Sequence, residues 1–174
     1  MNDTADSEPT LVEILLSGSK VHKALRRLSP KEFVELCVKV LEADEFLDVT
    51  NTDGRGDGGL DGTAVTSEGR KLAFQCKRRG TGRAVGVGEV RDFESAVRAY
   101  GADIGLIITN SSFTSGAESL GRELGIELMN GGVLSHKMVE RKIFVQPDAK
   151  RPLNPEFDYA AFGKNVHHTV NGVA

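Results

Sequence analysis

An α/β fold, with a mixed central sheet flanked by helices, is predicted by three features of this chain. Two strand-length runs, residues 62–66 (GTAVT) and Lys71–Lys77 (KLAFQCK), are joined by the polar turn Ser67-Glu68-Gly69-Arg70 and so form an antiparallel hairpin. Ile104–Thr109 (IGLIIT) is the longest unbroken apolar run, which suits a strand covered on both faces. Downstream of the hairpin, strand-length and helix-length segments alternate, and crossovers of that kind pair strands in parallel.

The elements follow in order. Residues 1–9 are polar, and residues 10–28 (TLVEILLSGSKVHKALRRL) read as an amphipathic helical segment broken by Ser17-Gly18-Ser19. Ser29 caps a helix over Pro30–Ala43, with Pro30 in its first position and Glu32 in its third. Phe33, Leu36, Cys37, Val40 and Leu41 form its inward stripe. Residues 46–51 (FLDVTN) make the first strand. The next stretch, TDGRGDGGLDG, holds five glycines and three aspartates and is a turn-rich loop into the hairpin. A Gly-rich connection over 80–88 leads to a helix over 89–100, with Val90, Phe93, Val97 and Tyr100 along one side. After Ile104–Thr109 come a capped helix over Ser115–Leu124, a strand over Ile126–Met129 and a helix over 132–142. From Pro147 the chain has three prolines and little periodicity, as in a surface tail. The expected organisation is an extension over 1–28, one domain over 29–145 and a tail over 146–174. No internal repeat is visible.

Composition narrows the function. At 174 residues and 39% apolar content, one domain can bury a core without cross-links. Cys37 and Cys76 lie 39 positions apart with no CxxC spacing, which argues against a zinc cluster or a disulfide framework and fits a reducing cytoplasm. The start, MNDTADSEPT, lacks the basic and apolar runs of a secretory signal, and no stretch reaches the ~18 apolar residues of a membrane span. The expectation is a cytoplasmic protein with no membrane partner. Net charge is -3, yet between Arg70 and Arg98 eight basic residues stand against three acidic ones, so this segment is suited to face a polyanion.

Chemistry converges on the hairpin. Strand alternation puts Gln75 and Lys77 on one face, roughly 6 to 7 Å apart, and Phe74 and Cys76 on the other. Asp61 opens the partner strand after a loop whose glycines let a ligand approach the backbone. Closure of the hairpin at 67–70 brings Asp61 opposite Gln75. A carboxylate and a neutral oxygen suit Mg²⁺, which prefers oxygen donors, lowers the pKa of a bound water and neutralises charge on a phosphate. The Cys76 backbone carbonyl is a further candidate metal oxygen, and a neighbouring lysine can orient or deprotonate the water or stabilise developing charge. Arg55, Arg78, Arg79 and Arg83 flank the patch as candidate phosphate contacts.

Glu32-Phe33, the loop Gly56-Asp57-Gly58-Gly59-Leu60-Asp61, the strand Phe74-Gln75-Cys76-Lys77, the segment 85–90, and Thr109 with Phe113-Thr114 together resemble the Mrr-type restriction endonuclease domain of the PD-(D/E)XK nuclease superfamily. The resemblance spans about residues 29–138. It implies a restriction-endonuclease-like αβββαβ core and Mg²⁺-dependent DNA cleavage, with Asp61 as the metal-binding acid, Gln75 in the place usually held by Glu or Asp, and Lys77 as the catalytic lysine. The QxK form is a variant associated with Mrr-type members. Such domains often carry an acid directly after the Phe of the first helix, where this chain has Val34. Glu35 points nearly opposite the inward stripe, and Glu32 lies on the flank away from position 34.

Competing patterns fail on context. GRGDGG matches GxGxxG but runs into a strand, so no helix N-terminus follows to hold a pyrophosphate. The loop aspartates miss the EF-hand spacing, whose twelfth position counted from Asp53 is Ala64. Asp57 reads as a turn-former, and the four histidines show no metal spacing. The expected function is therefore a Mg²⁺-dependent DNA endonuclease, with Mn²⁺ able to substitute, acting in restriction or defence. Two alternatives share the fold: a nucleic-acid-binding module with little catalysis, suggested by Val34 and Gln75, and a Holliday-junction-resolvase-like nuclease. With one site per chain, cutting both strands calls for a homodimer or larger assembly. Because residues 1–28 are too short for a DNA-reading domain, a separate recognition subunit is a further expected partner.

Overall fold

In a computed structural model of the chain, the described residues are 21, 24–52, 59–80, 83–141 and 143. Their elements are α1 (Pro30–Ala43), β1 (Leu47–Asn51), β2 (Gly62–Val65), β3 (Lys71–Lys77), α2 (Val87–Tyr100), β4 (Ile104–Thr109), α3 (Ser115–Leu124), β5 (Ile126–Met129) and α4 (Gly131–Glu140). The first six give the expected αβββαβ order. The five strands form one mixed sheet in the order β1-β2-β3-β4-β5, with β1, β2 and β3 antiparallel in turn and β3, β4 and β5 parallel.

Each sheet face carries its own core. Leu72 and Phe74 of β3 and Leu106 and Ile108 of β4 pack with the α1 stripe and with Leu134 and Met138 of α4. Ala73 of β3 and Ile107 of β4 pack with Val90, Phe93 and Val97 of α2 and Ala117 of α3. β4 is thus buried on both sides, as its unbroken apolar run requires. Val21, Leu25 and Leu28, ahead of α1, are buried in the first of these cores. Ser29 and Glu32 close the capping box that starts α1. No helix among the described residues is long and apolar enough to cross a membrane.

Four details differ from the sequence reading. β1 starts at Leu47, after Glu45 and before Asp48, both at positive φ (67° and 49°), and its pairing with β2 shifts between Leu47 and Thr50. The shift interrupts the regular β1–β2 ladder as a β-bulge does. α2 starts at Val87 behind Gly86, which has no side chain to announce a cap. Tyr100 is half exposed because it sits in the last turn of α2, beyond the covered stripe that ends at Val97. α4 runs from Gly131, capped by Asn130, to Glu140. The tail over 146–174 and most of the extension over 1–28 lie outside the described residues.

Gly62 sets how closely β1 and β3 approach β2. A Cβ there would lie 2.2 Å from the Thr50 carbonyl oxygen and 2.3 Å from Phe74 Cζ, contacts that a backbone atom and a buried ring cannot yield. Gly62→Ala is expected to cost about 3 kcal/mol, the upper end of overpacking effects. The check is a lower urea midpoint at unchanged slope; a midpoint equal to wild type would contradict this account of the β1–β2–β3 spacing.

Candidate active site

The site lies where β2 begins and β3 ends. Antiparallel pairing sets Val65 against Lys71, Ala64 against Leu72 and Gly62 against Phe74, so Asp61 falls beside Gln75, one step past the last registered pair. The Asp61 N–H donates to the Phe74 carbonyl (2.9 Å) and its carbonyl accepts from Thr52 N–H (3.1 Å). Its carboxylate Oδ2 accepts the backbone N–H of Cys76 (2.7 Å). A side-chain oxygen therefore replaces the strand carbonyl that Cys76 would otherwise meet, and the charge is pinned against the end of β3.

Gln75 Nε2 donates to the carbonyl of Gly59. Gly59 has φ +107°, a conformation glycine adopts without strain, and with it the Gly59 carbonyl meets the Gln75 side chain. With its amide nitrogen so used, the Gln75 amide oxygen is oriented as the acceptor end. Gln75 and Lys77 continue the row begun by Ala73, on the sheet face covered by α2 and α3. Cys76 lies on the other face, packed against the α1 core. Burial, then the neighbouring Cys37 and Asp61, push the Cys76 thiol well above its ordinary range. It is a neutral thiol near neutral pH, so any contribution of Cys76 to a metal comes from its backbone carbonyl.

The arginines divide between the two faces. Arg79 shares the side of Lys77 and pairs with Glu89, in the first turn of α2. Arg78 turns the other way, its Nη2 donating to the Arg26 carbonyl (2.9 Å) ahead of α1. Arg83 is exposed on the connection to α2. Arg55 and Asp57 lie outside the described residues. The structure thus brings Asp61, Gln75, Cys76 and Lys77 to one corner, with Arg79 beside it and Arg78 directed away. In α1, Glu32 is engaged in the Ser29 capping box and Glu35 lies near Lys31 at 4.0 Å on the exposed side. Among the described residues no three His, Cys, Asp or Glu side chains cluster as a metal site.

Glu89 is a member that the sequence reading treated only as a helix start. Burial works to raise its pKa, but the Gly86 N–H, the Arg79 hydrogen bond and charge, and the charge of Lys77 together hold the carboxyl below its ordinary range. The signal in sequence was its spacing three residues after the N-cap, obscured because that N-cap is glycine.

The comparisons with known proteins bear on the family and the fold. The family model described as restriction endonuclease, Mrr-type catalytic domain, matches residues 25–138. The type IV methyl-directed restriction enzyme EcoKMrr of Escherichia coli (strain K12) is 30% identical over 149 residues, 82% of this chain and 48% of that one, so the chain spans about half the length of this relative. The structure is similar in fold to the DNA modification-dependent restriction endonuclease AspBHI (TM-score 0.58, 17% identity, 98% of this chain, 43% of that one). It is also similar to the MspJI restriction endonuclease, solved with a 27-mer oligonucleotide (TM-score 0.53, 19% identity, 98% of this chain, 38% of that one).

A carboxyl held below its ordinary range stabilises the fold at pH values above its unfolded pKa of about 4.3, and that stabilisation is lost as pH falls through the folded value. The stability gap between wild type and Glu89→Gln should therefore be constant from neutral pH to about pH 5 and narrow as pH falls further, through the lowered folded value. Urea midpoints measured for both proteins across that range test this, and a gap that does not change with pH would refute the Glu89 assignment.

Proposed function

The chain belongs to the Mrr-type restriction endonuclease family, and on that premise we propose that it is a divalent-metal-dependent DNA endonuclease acting in restriction. The observation that carries the reading is the Asp61 carboxylate, held by Cys76 N–H at the corner shared with Gln75 and Lys77. The donors there are oxygens, one of them charged: the Asp61 carboxylate, the Gln75 amide oxygen and the Cys76 carbonyl, which in an extended strand lies on the same edge as its N–H. That set fits a hard cation that keeps several waters, Mg²⁺ in the first place and Mn²⁺ as a substitute. Bound, the cation supplies an activated water and charge neutralisation at the phosphate.

The residues of the chain do the rest. Asp61 and Gln75 would hold the ion at the end of β3. Lys77, on the same face as Gln75, orients the attacking water or stabilises the charge that develops on the phosphate. Arg79 and Arg83 extend a positive surface along the DNA backbone, where contacts position the duplex without reading sequence. Asp61 does not also have to serve as the base, because its carboxylate is already engaged. Val21, Leu25 and Leu28 share the α1 core, so the nuclease unit is proposed to begin ahead of residue 29. Cleavage of both strands would take two copies.

EcoKMrr is methyl-directed and AspBHI modification-dependent by description, so modified DNA is the proposed substrate class to test beside unmodified DNA. A second reading, a DNA-binding module with little turnover, is favoured by one observation: α1 offers Val34 where an acid is expected, with Glu32 and Glu35 engaged elsewhere.

Supercoiled plasmid, methylated and unmethylated, incubated with the protein and Mg²⁺ or Mn²⁺ should yield nicked and linear products, with none in EDTA. Lys77→Ala should cut slower by about 10²-fold or more. Equal cutting by Lys77→Ala would remove Lys77 from the site. Salt-sensitive retardation of DNA with no product at any metal concentration would establish the binding module instead.

A further inference from the structure

The proposed reacting side chains sit on the last residues of β3, where a sheet holds its strands least. The parallel β3–β4 register ends at Lys77 opposite Thr109. Beyond it β3 passes into the loop at Arg78, and β4 turns toward Ser115, so no ladder remains to fix the backbone from the Lys77 carbonyl to Arg79. Two buried side chains take over. Thr109 Oγ1 donates to the Lys77 carbonyl (2.6 Å) and accepts from Ser111 N–H (3.2 Å). The Asn110 amide oxygen accepts from Arg79 N–H (2.6 Å), and its nitrogen donates to the Arg79 carbonyl (3.0 Å) and the Leu25 carbonyl (3.3 Å). Both residues have 0% exposure, so neither can touch a nucleic acid.

The pattern is more specific than a generic buried hydrogen-bond network. It falls on the backbone of Lys77 and Arg79, the two cationic residues that continue the Gln75 row. Ser111, which closes the turn on Thr109, is in turn tied to α4 through its carbonyl, which accepts from Gly131 N–H (2.7 Å). The end of β3 is thereby fixed to β4, to the segment before α1 and to the start of α4.

We propose that Thr109 and Asn110 are positioning residues that extend the β3–β4 pairing through their side chains and hold Lys77 and Arg79 in place for phosphodiester cleavage. The inference rests on the nuclease reading above. It assigns these buried side chains a role in rate as well as in stability, because displacement of a reacting group by about 1 Å is enough to cost about 100-fold.

Thr109→Val removes the hydroxyl at nearly constant shape, and Thr109→Ser keeps it. With saturating plasmid and metal, Thr109→Val should cleave in single turnover about 10- to 100-fold more slowly than wild type, with DNA affinity changed by no more than about twofold; Thr109→Ser should recover most of the rate. In protein carrying ¹³C-labelled lysine, the Lys77 Cε signal, assigned from Lys77→Arg, should shift in Thr109→Val and return in Thr109→Ser, with or without DNA. Thr109→Cys, a weak donor of similar size, serves if the valine variant does not fold, and should fall between the two. A Thr109→Val protein of lowered melting temperature with wild-type rate and an unmoved Lys77 signal would overturn the proposal. If Lys77→Ala cuts like wild type while the Lys77 signal still moves in Thr109→Val, the nuclease assignment of Lys77 has failed and the positioning contact has not.

Discussion

The hydrogen bond from Cys76 N–H to the Asp61 carboxylate is the contact on which the site depends. It forms where the β2–β3 ladder stops, with Gly62 the last residue of β2 in register and Phe74 its partner. A buried or partly buried N–H at a strand end needs an acceptor, and here the acceptor carries a negative charge. The same bond therefore closes the sheet and places an anion beside Gln75. Gly59, bonded through its carbonyl to Gln75, and Thr52, bonded to the Asp61 carbonyl, hold the two ends of the intervening loop to the same corner.

The three-layer arrangement gives that corner its chemistry. Helices on both faces bury the middle of β3 and β4, so Leu72 and Phe74 serve one core and Ala73 the other. At its C-terminal end the last three residues of β3 emerge part-way from this cover. On the α2 side they present Gln75 and Lys77, with Arg79 next and its guanidinium held by Glu89. The cations are balanced by Asp61 on one flank and Glu89 on the other, which keeps a positive corner compatible with a stable fold. In the proposed nuclease, a metal ion and a phosphate would enter this balanced set and complete it.

Much of this was legible in the residues. Period-two alternation in KLAFQCK put Gln75 and Lys77 together, and the four-residue turn at 67–70 set the register that brings Asp61 alongside. The Ser29-Pro30-Glu32 cap and the apolar IGLIIT run placed α1 and β4 to the residue. What remained hidden depends on contacts between distant segments. The register shift in the β1–β2 pairing falls at Asp48, a non-glycine residue at positive φ that local sequence does not announce. Arg78 and Arg79 are adjacent and chemically alike, but strand alternation sends one to the Arg26 carbonyl and the other to Glu89. Thr109 read as the end of a strand, and Asn110 carried no signal in the sequence, because their bonding partners lie 32 and 31 residues away, with Leu25 at 85.

The central claim is that Asp61, Gln75 and Cys76 form a divalent-cation site at the end of β3. Paramagnetic broadening by Mn²⁺ of assigned backbone amide signals in the full chain tests it without requiring turnover. The account predicts that the amides of Asp61, Gln75, Cys76 and Lys77 broaden first, at substoichiometric metal, and that Asp61→Ala abolishes this selectivity while Glu35→Ala does not. Broadening centred elsewhere, or unchanged in Asp61→Ala, would contradict it.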